Sequence, residues 1–378
     1  MLKTFKYRLF TNANQNRELT QNLETHRRLY NAALDGKQLC WETATVDWSF
    51  YDQCQWFTIQ RRNNPYYARM NVASARYTLL RLDRAFKAFF RRVKTGEKPG
   101  YPRFRGKDRF NSFTFSMANG CQIVNRKLRL QGIGTIRIRW HRELPENARI
   151  KQATIVRENG KWFVCFCVEM PKPDPSCGSG TVGIDVGLKA FATTSEGDTL
   201  GDSRTLERNL KDLRRRQRAL SRCQQGSSTR KQVKKRVTTL HAKVRNTRMD
   251  MHHKVARTLV NRYDTIAVES LNIKGMLRNN WLARRIGDAG WYNFITLLSS
   301  KAEEAGAQVI RVDPKGTTQE CSRCGKTVKK SLFVRIHQCS CGCVLDRDLN
   351  AALNILARAE PGSHNVDASS HGFRSSRL

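Results

Sequence analysis

Two closely spaced cysteine pairs near the C-terminal end constrain the fold of this chain more than any other sequence feature. Five of its 12 cysteines (Cys321, Cys324, Cys339, Cys341 and Cys343) fall within 23 residues, and the other seven are scattered. A glycine follows each pair, which allows the tight turn that points two thiolates at one ion. Because four thiolates suit a tetrahedral Zn²⁺, the sequence predicts one structural zinc ion within residues 313–344.

The spacing of the second pair leaves the fourth zinc ligand open. The two pairs are 14 residues apart, but the second pair is one residue shorter than the usual knuckle. We therefore expect Cys321, Cys324, Cys339 and Cys341 as ligands, with Cys343 as the alternative to Cys341. The chain begins without an apolar leader, so we expect a reducing cytoplasmic compartment, where clustered cysteines bind metal rather than form disulfides.

The charge of the chain predicts a nucleic-acid partner. It carries 69 Lys and Arg against 32 Asp and Glu, a formal net charge of +37. An anionic membrane could also neutralise this charge, but no stretch approaches the roughly 18 apolar residues that a membrane span needs. We expect no membrane partner, although composition alone does not exclude a basic structural protein without catalytic activity.

Two segments concentrate the basic residues. Residues 81–109 hold eleven Lys or Arg against three acids, and residues 204–248 hold sixteen against two. Aromatic residues lie among or just beyond the basic ones of the first segment, at Phe86, Phe90, Tyr101, Phe104 and Phe110. Basic groups neutralise phosphates and aromatic rings stack on bases, so we predict contact with a single strand or a heteroduplex. A solvated basic face is the alternative.

The hydrophobic pattern divides the first half of the chain into strands and helices. Alternating apolar residues predict a strand at 4–10 and further strands between 113 and 168, and three- and four-residue spacing predicts a helix at 71–93. We therefore expect a small β-barrel or sandwich formed by residues 1–15 and 110–172, with a helical domain at 16–109 inserted into it. The proline-rich residues 171–175 mark a domain boundary.

Three acidic residues in the second half predict a divalent-metal site. Asp185 and Glu269 each end an apolar strand-like run, and Asp348 lies at the start of the last predicted helix. Alternating strands and helices predict an α/β domain from 178–312 and 345–360, and a disordered tail at 361–378. Gathered carboxylates repel one another unless a cation neutralises them, and Mg²⁺ or Mn²⁺ suits their oxygen ligands. Two such ions about 4 Å apart would support phosphodiester cleavage.

A second acid, Asp346, precedes Asp348 by two residues, and we expect only one of them to bind metal. Asp346 is better placed to act as the helix N-cap, which leaves Asp348 in the first turn as the metal ligand. We expect the apolar face of this helix to comprise Leu349, Ala352, Leu353 and Leu356.

The acidic motifs resemble the three split motifs of a RuvC nuclease domain. They are Gly183-Ile184-Asp185-Val186-Gly187, Val268-Glu269-Ser270-Leu271 and Asp346-Arg347-Asp348-Leu349-Asn350-Ala351-Ala352. Between the second and third motifs, Thr317-Thr318-Gln319-Glu320-Cys321-Ser322-Arg323-Cys324-Gly325 is similar to the zinc insertion of TnpB proteins. The resemblance covers nearly the whole chain and implies a multidomain α+β and α/β protein, with an RNase H-like domain interrupted by a zinc ribbon.

This resemblance also implies an activity. TnpB proteins are encoded by insertion sequences, bind a guide RNA transcribed from the end of the element, and cut duplex DNA beside a short flanking motif. By position, Asp185, Glu269 and Asp348 would be the catalytic acids, with two Mg²⁺ or Mn²⁺ ions. Residues 1–170 would hold the guide and read the flanking duplex.

Other functions remain open at this stage. A relative that kept the fold and lost cutting would be a guide-dependent DNA-binding repressor, but such a protein is expected to lack one of the acids. A strand-joining transposase would need a nucleophile that no tyrosine or Ser/His pattern suggests. The sequence does not specify the guide, the flanking motif, the cut positions, or whether a monomer or a homodimer binds one guide.

Overall fold

The structure is a computed structural model that describes residues 1–117, 119–172, 174–202, 204–331 and 334–359. The chain forms two compact units, Met1–Pro171 and Lys172–Leu378, and the boundary between them along the chain falls in the proline-rich segment. The tail expected at 361–378 lies outside the described residues. No helix among the described residues is long and apolar enough to cross a bilayer.

A closed β-barrel forms the core of the first unit. Its strands within the described residues are β1 (Leu2–Phe10), β2 (Ser112–Met117), β3 (Gly120–Val124), β4 (Lys127–Leu130), β5 (Gly134–Arg139), β6 (Arg149–Glu158) and β7 (Lys161–Glu169). They close in the order β1-β5-β4-β3-β2-β6-β7, and β1 pairs antiparallel with both β5 and β7. Phe5, Tyr7 and Leu9 of β1 are buried, so the alternation in the sequence marks the core face of this strand.

Helices fill the connection between β1 and β2. They are α1 (Ala13–Ala44), α2 (Phe50–Asn63), α3 (Pro65–Ala68) and α4 (Val72–Lys94), followed by a 3₁₀ turn at Lys107–Arg109. The predicted apolar stripe of α4 is buried at Ala75, Leu79, Leu82 and Phe86, whereas Val93 at its end is exposed. His26 of α1 lies between Thr78 and Ser74 of α4, and burial lowers its pKa to about 3. A neutral imidazole therefore joins the two helices.

The second unit is built on a mixed sheet. Its elements begin with β8 (Thr181–Asp185), β9 (Ala192–Thr194), β10 (Thr199–Leu200), α5 (Arg204–Arg222), α6 (Ser228–Arg262) and β11 (Thr265–Glu269). They continue with α7 (Ile273–Met276), α8 (Ala283–Ala289), α9 (Trp291–Ala305), β12 (Gln308–Val312), β13 (Ile336–Gln338), β14 (Val344–Asp346) and α10 (Arg347–Ala357). Strands β8, β11 and β12 are parallel, and the sheet order is β10-β9-β8-β11-β12. This sheet confirms the predicted α/β layer.

The basic residues 204–248 form most of a helical hairpin. Helices α5 and α6 pack through Leu206, Leu213, Val237 and Val244, and most of the Lys and Arg residues face outward. Helix α6 runs unbroken from Ser228 to Arg262 and so extends beyond the basic segment. No glycine or proline interrupts it, so its backbone hydrogen bonds continue through the polar residues.

Candidate active site

Two of the predicted acids emerge side by side from the sheet. Strands β8 and β11 pair Ile184 with Val268 in parallel register, and Asp185 and Glu269 are the next residues on each strand. Neighbouring strands lie about 4.8 Å apart, so the two carboxylates share one edge of the sheet. Both residues are 8% exposed. Carboxyl ends of parallel strands commonly carry the ligand sites of α/β proteins.

A glycine in β8 allows the third acid to approach. A Cβ atom on Gly183 would lie 2.1 Å from the Ala352 carbonyl oxygen of α10, so α10 rests directly against the backbone of β8. Asp348, one turn before Ala352, is 7% exposed. A Cβ on Gly187 would lie 3.9 Å from its Oδ2 atom, which brings Asp348 to the edge where Asp185 lies. The structure therefore gathers all three predicted acids, and their catalytic role remains a prediction.

Burial opposes ionisation of both Asp185 and Glu269, and repulsion from the neighbouring acids adds to this effect at Asp185. Burial raises the pKa of Asp185 to about 8, with further increases from Glu269 and Asp348, while Arg347 acts in the opposite direction. Burial also raises the pKa of Glu269, which a hydrogen bond from Thr317 and the charge of Arg358 partly offset. A divalent cation would relieve this repulsion, and carboxylate oxygens are the ligands that Mg²⁺ and Mn²⁺ prefer.

The three carboxylates share one edge of the sheet, but their oxygen atoms do not all lie within 4.8 Å of one another. Among the described residues, only a group of four thiols brings three or more metal-binding atoms within 4.8 Å of one another. The acids are therefore spaced more widely than the ligands of one ion.

Asp346 and Asp348 make different contacts at the start of α10. The Asp346 side chain caps the helix by accepting the Asp348 backbone N–H at 2.8 Å, as predicted. The Oδ1 atom of Asp348 instead lies 3.4 Å from Arg347 and 3.8 Å from Arg335. The cap therefore belongs to Asp346, and Asp348 is the acid directed to the sheet edge.

Four cysteine thiols form a second candidate metal centre. The Sγ atoms of Cys321, Cys324, Cys339 and Cys341 all lie within 4.8 Å of one another. The Cys321–Cys341 and Cys324–Cys339 separations are 3.7 and 3.5 Å, near the value of about 3.8 Å for sulfurs around a tetrahedral Zn²⁺. Gly325 and Gly342 have φ values of 73° and 82°, which form the two turns. The cluster is compatible with a structural zinc ion.

Cys343 lies beside this cluster without joining it. It is buried, and its carbonyl oxygen accepts the Cys339 backbone N–H at 2.9 Å. Burial opposes ionisation of Cys321, but backbone N–H groups of Arg323 and Cys324 lower its pKa to about 5. This favours a thiolate at Cys321, the form that binds metal.

The sequence interpretation missed the polar residues that join the cysteine segment to the acids. The Thr317 hydroxyl donates a hydrogen bond to Glu269, and Asn350 and Asn354 of α10 bind the backbone of residues 317–322. The predicted apolar face of α10 is also partly wrong. Of its four residues only Ala352 is fully buried, and Asn350 and Asn354 are buried instead, because their amides bind backbone groups.

The predicted aromatic contacts to nucleic acid need a similar correction. Phe86 and Phe110 are buried, so their rings are not available to stack on bases. Phe90, Tyr101 and Phe104 are about half exposed, at 53%, 46% and 52%. Phe90 packs near Phe86, and Tyr101 contacts Phe86 edge-on, so the core holds these two exposed rings in place.

Three family models match the chain. Residues 165–280 match the family described as "Probable transposase" (OrfB_IS605), and residues 291–355 match "Cas12f1-like, TNB domain". Residues 1–44 match a "Helix-turn-helix domain", although in this structure they form strand β1 and the single helix α1.

Similar proteins extend these matches over most of the chain. A Streptomyces pristinaespiralis protein, provisionally named an RNA-guided DNA endonuclease, is 30% identical over 94% of this chain and 89% of its own length. Escherichia coli InsQ, provisionally named in the same way, is 28% identical over 90% of this chain and 85% of its own length. Cas12f1, in the cryo-EM structure of a Cas12f1–sgRNA–target DNA complex, shares the fold with a TM-score of 0.62 at 14% identity, covering 94% of this chain and 98% of that one. These matches show that the chain belongs to the TnpB family.

Proposed function

We propose that this protein is an RNA-guided endonuclease that hydrolyses duplex DNA beside a short flanking motif. The observation that carries this proposal is the convergence of Asp185, Glu269 and Asp348 at one buried sheet edge. The names of its relatives support both the guide and the substrate, since two of them are provisionally called RNA-guided DNA endonucleases. The guide would be transcribed from the end of the insertion sequence that encodes the protein.

Asp185, Glu269 and Asp348 would hold two Mg²⁺ or Mn²⁺ ions. Bound there, such ions supply Lewis-acid stabilisation of the charge that develops on the phosphodiester group. The chain contributes the geometry: β8 and β11 fix two carboxylates, and α10 fixes the third through its contact with Gly183. The cap at Asp346 holds the first turn of α10, and so sets the direction of Asp348.

The remaining surfaces would bind the nucleic acids. The basic hairpin α5–α6 would neutralise phosphates, and Phe90, Tyr101 and Phe104 would stack on unpaired bases. We assign guide binding and reading of the flanking duplex to the barrel (1–15 and 110–172) and its helical insertion (16–109). The nuclease domain would comprise 178–312 and 345–360, and a zinc ion bound by Cys321, Cys324, Cys339 and Cys341 would hold 313–344.

Reconstitution with the RNA of the element tests this function. The protein is co-expressed with the transcribed end of its element, and plasmids carrying the guide-matched target beside randomised flanking sequence are incubated with it and Mg²⁺. We expect cutting that requires the RNA, the matching target and Mg²⁺, and that is absent in Asp185→Ala protein. Binding of the target without cutting by wild-type protein would identify a silent repressor instead, and cutting without RNA would overturn the guided mechanism.

A further inference from the structure

Thr317 places a hydroxyl group against one of the proposed metal-binding acids. It is 2% exposed, and its Oγ1 atom donates to Oε1 of Glu269 at 2.5 Å. Its other acceptor, the carbonyl oxygen of Pro314, is more distant at 3.2 Å. A hydroxyl has one proton to donate, and a short bond to a carboxylate is the stronger of the two contacts. The proton is therefore directed to Glu269.

The backbone around Thr317 is fixed to the helix that carries another acid. Asn354 of α10 donates to the carbonyl oxygens of Thr317 and Glu320, both at 2.8 Å. One turn earlier, Asn350 donates to the same Glu320 carbonyl at 2.7 Å and accepts the Ser322 N–H at 3.0 Å. These amides hold residues 317–322 along the helix that carries Asp348.

The same short segment reaches the cysteine cluster. Cys321 lies between Glu320 and Ser322, the two residues whose backbone groups bind α10. Residues 317–322 therefore connect three parts of the site. Thr317 binds Glu269, Asn354 of α10 binds the Thr317 backbone, and Cys321 belongs to the thiol cluster. Hydrogen bonds from α10 therefore hold the backbone at Thr317, and the cysteine segment follows it directly in the chain.

We infer that Thr317 is a positioning residue for Glu269, which turns that carboxylate so that Oε2 is offered to a divalent cation. The inference rests on the proposed nuclease function and assigns a role to a residue between the second and third acidic motifs. A hydrogen bond to one oxygen fixes the plane of the carboxylate and favours its ionised form. Partners of this kind, placed behind a metal ligand, commonly change metal affinity by about 10- to 100-fold when removed.

Two substitutions separate the hydroxyl from the volume of the side chain. Thr317→Val keeps the shape and removes the hydroxyl, and Thr317→Ser keeps the hydroxyl and removes the methyl group. Direct Mn²⁺ binding to the protein–RNA complex is measured by electron paramagnetic resonance, and cutting is measured as a function of Mn²⁺ concentration. Zinc content and melting temperature are measured for each variant.

We expect Thr317→Val to weaken Mn²⁺ binding about 10-fold or more and to raise the Mn²⁺ concentration for half-maximal cutting in parallel. Cutting at saturating Mn²⁺ should change less, and Thr317→Ser should stay close to wild type. Unchanged Mn²⁺ binding in Thr317→Val, equal weakening in both variants, or loss of zinc from Thr317→Val would each overturn the inference. Wild-type protein that binds Mn²⁺ at this site but cuts no DNA would contradict the proposed function and leave the role of Thr317 intact.

Discussion

At the scale of single residues, the start of α10 gives two neighbouring acids different tasks. Asp346 accepts the Asp348 N–H, whereas Asp348 is buried at the edge that holds Asp185. We expect Asp348→Ala to abolish Mg²⁺-dependent cutting while RNA and target binding persist. Asp346→Ala should lower the free energy of unfolding by about 1 kcal/mol, as loss of a cap does, and leave measurable cutting.

The control for this comparison is Asp346→Asn, which keeps a capping oxygen and should behave like wild type. Cutting assays and thermal unfolding of the three variants are sufficient. If Asp348→Ala protein is fully active and Asp346→Ala protein is inactive, the metal ligand is Asp346 and not Asp348.

The pKa of Asp185 predicts how pH affects the metal-free protein. Burial raises this pKa to about 8, far above the value of about 3.9 in an unfolded chain. Between these two values the folded state binds more protons than the unfolded state, so stability falls as pH rises. We expect the melting temperature without divalent cations to decrease from pH 5 to pH 8, and stabilisation by Mg²⁺ to be greatest near pH 8.

Asp185→Asn removes the titrating group and serves as the matched variant. Its melting temperature should depend less on pH across the same range, and Mg²⁺ should stabilise it less. Equal pH dependence in wild-type and Asp185→Asn protein would show that other groups control stability here.

The convergence of the three acids was predictable from the sequence because each has a local signal, and their role in metal binding stays a prediction. Asp185 and Glu269 end apolar runs, and Asp348 follows a residue suited to capping. Thr317 has no such signal, because its contact with Glu269 spans 48 residues and depends on how α10 holds the intervening chain. Polar residues that satisfy buried backbone groups resemble surface residues when only the sequence is considered.

At the scale of secondary-structure elements, α10 packs closely on β8 because Gly183 has no side chain. A Cβ atom on Gly183 would lie 2.1 Å from the Ala352 carbonyl oxygen and 2.6 Å from the Leu356 nitrogen. Gly183→Ala should therefore displace α10 and Asp348, and lower stability by about 1–3 kcal/mol or more. We expect both the melting temperature and cutting to fall.

Gly287→Ala is the matched control, since nothing lies within 4 Å of its Cβ position in α8. Alanine favours a helix over glycine by about 1 kcal/mol, so this variant should be as stable as wild type or slightly more stable. A Gly183→Ala protein with wild-type stability and cutting would show that α10 does not need this close approach.

Unfolding of the cysteine segment should also disturb the active site. Thiolate-bound zinc can supply about 10 kcal/mol or more of folding free energy. Cys321→Ser or Cys324→Ser should therefore unfold residues 313–344 and reduce cutting, because residues 317–322 bind Glu269 and α10. Elemental analysis showing no zinc in active wild-type protein would exclude this role.

The same experiment distinguishes the fourth ligand. Cys341 belongs to the four-thiol group and Cys343 does not, so Cys343→Ser should retain more zinc than Cys339→Ser or Cys341→Ser. If Cys343→Ser loses zinc and Cys341→Ser retains it, the two thiols exchange roles when the ion binds.

Element boundaries were predicted less well than element types. The strands β1, β8 and β11 and the helix α4 lie close to the positions that the apolar pattern indicated. Helix α2 was not predicted, because its buried residues include Gln53 beside Phe57 and so give no clear apolar stripe. Periodicity identifies a helix only where one face is apolar.

At the scale of the whole molecule, the net charge of +37 predicts both the partner and its dependence on salt. On α5, Lys211, Arg214 and Arg218 are exposed and lie three and four residues apart, so they share one face of the helix. A strand of RNA or DNA along this face would release counterions from its phosphates, and affinity would then fall steeply as salt is added.

We expect RNA to copurify with the protein, and the affinity of RNA-free protein for its guide to fall roughly a thousandfold or more between 50 and 200 mM salt. Replacing Lys211, Arg214 and Arg218 with Gln removes three cations and should reduce the slope of log affinity against log salt by about 3.

Arg230→Gln is the contrasting variant, because the Arg230 guanidinium binds the carbonyl oxygens of Leu220 and Cys223 at the end of α5. This substitution should lower the melting temperature and change the slope of log affinity against log salt only a little. If these three cations bind phosphates, their removal must reduce the salt slope. An unchanged slope in the triple variant would therefore show that the nucleic acid does not bind along this face of α5.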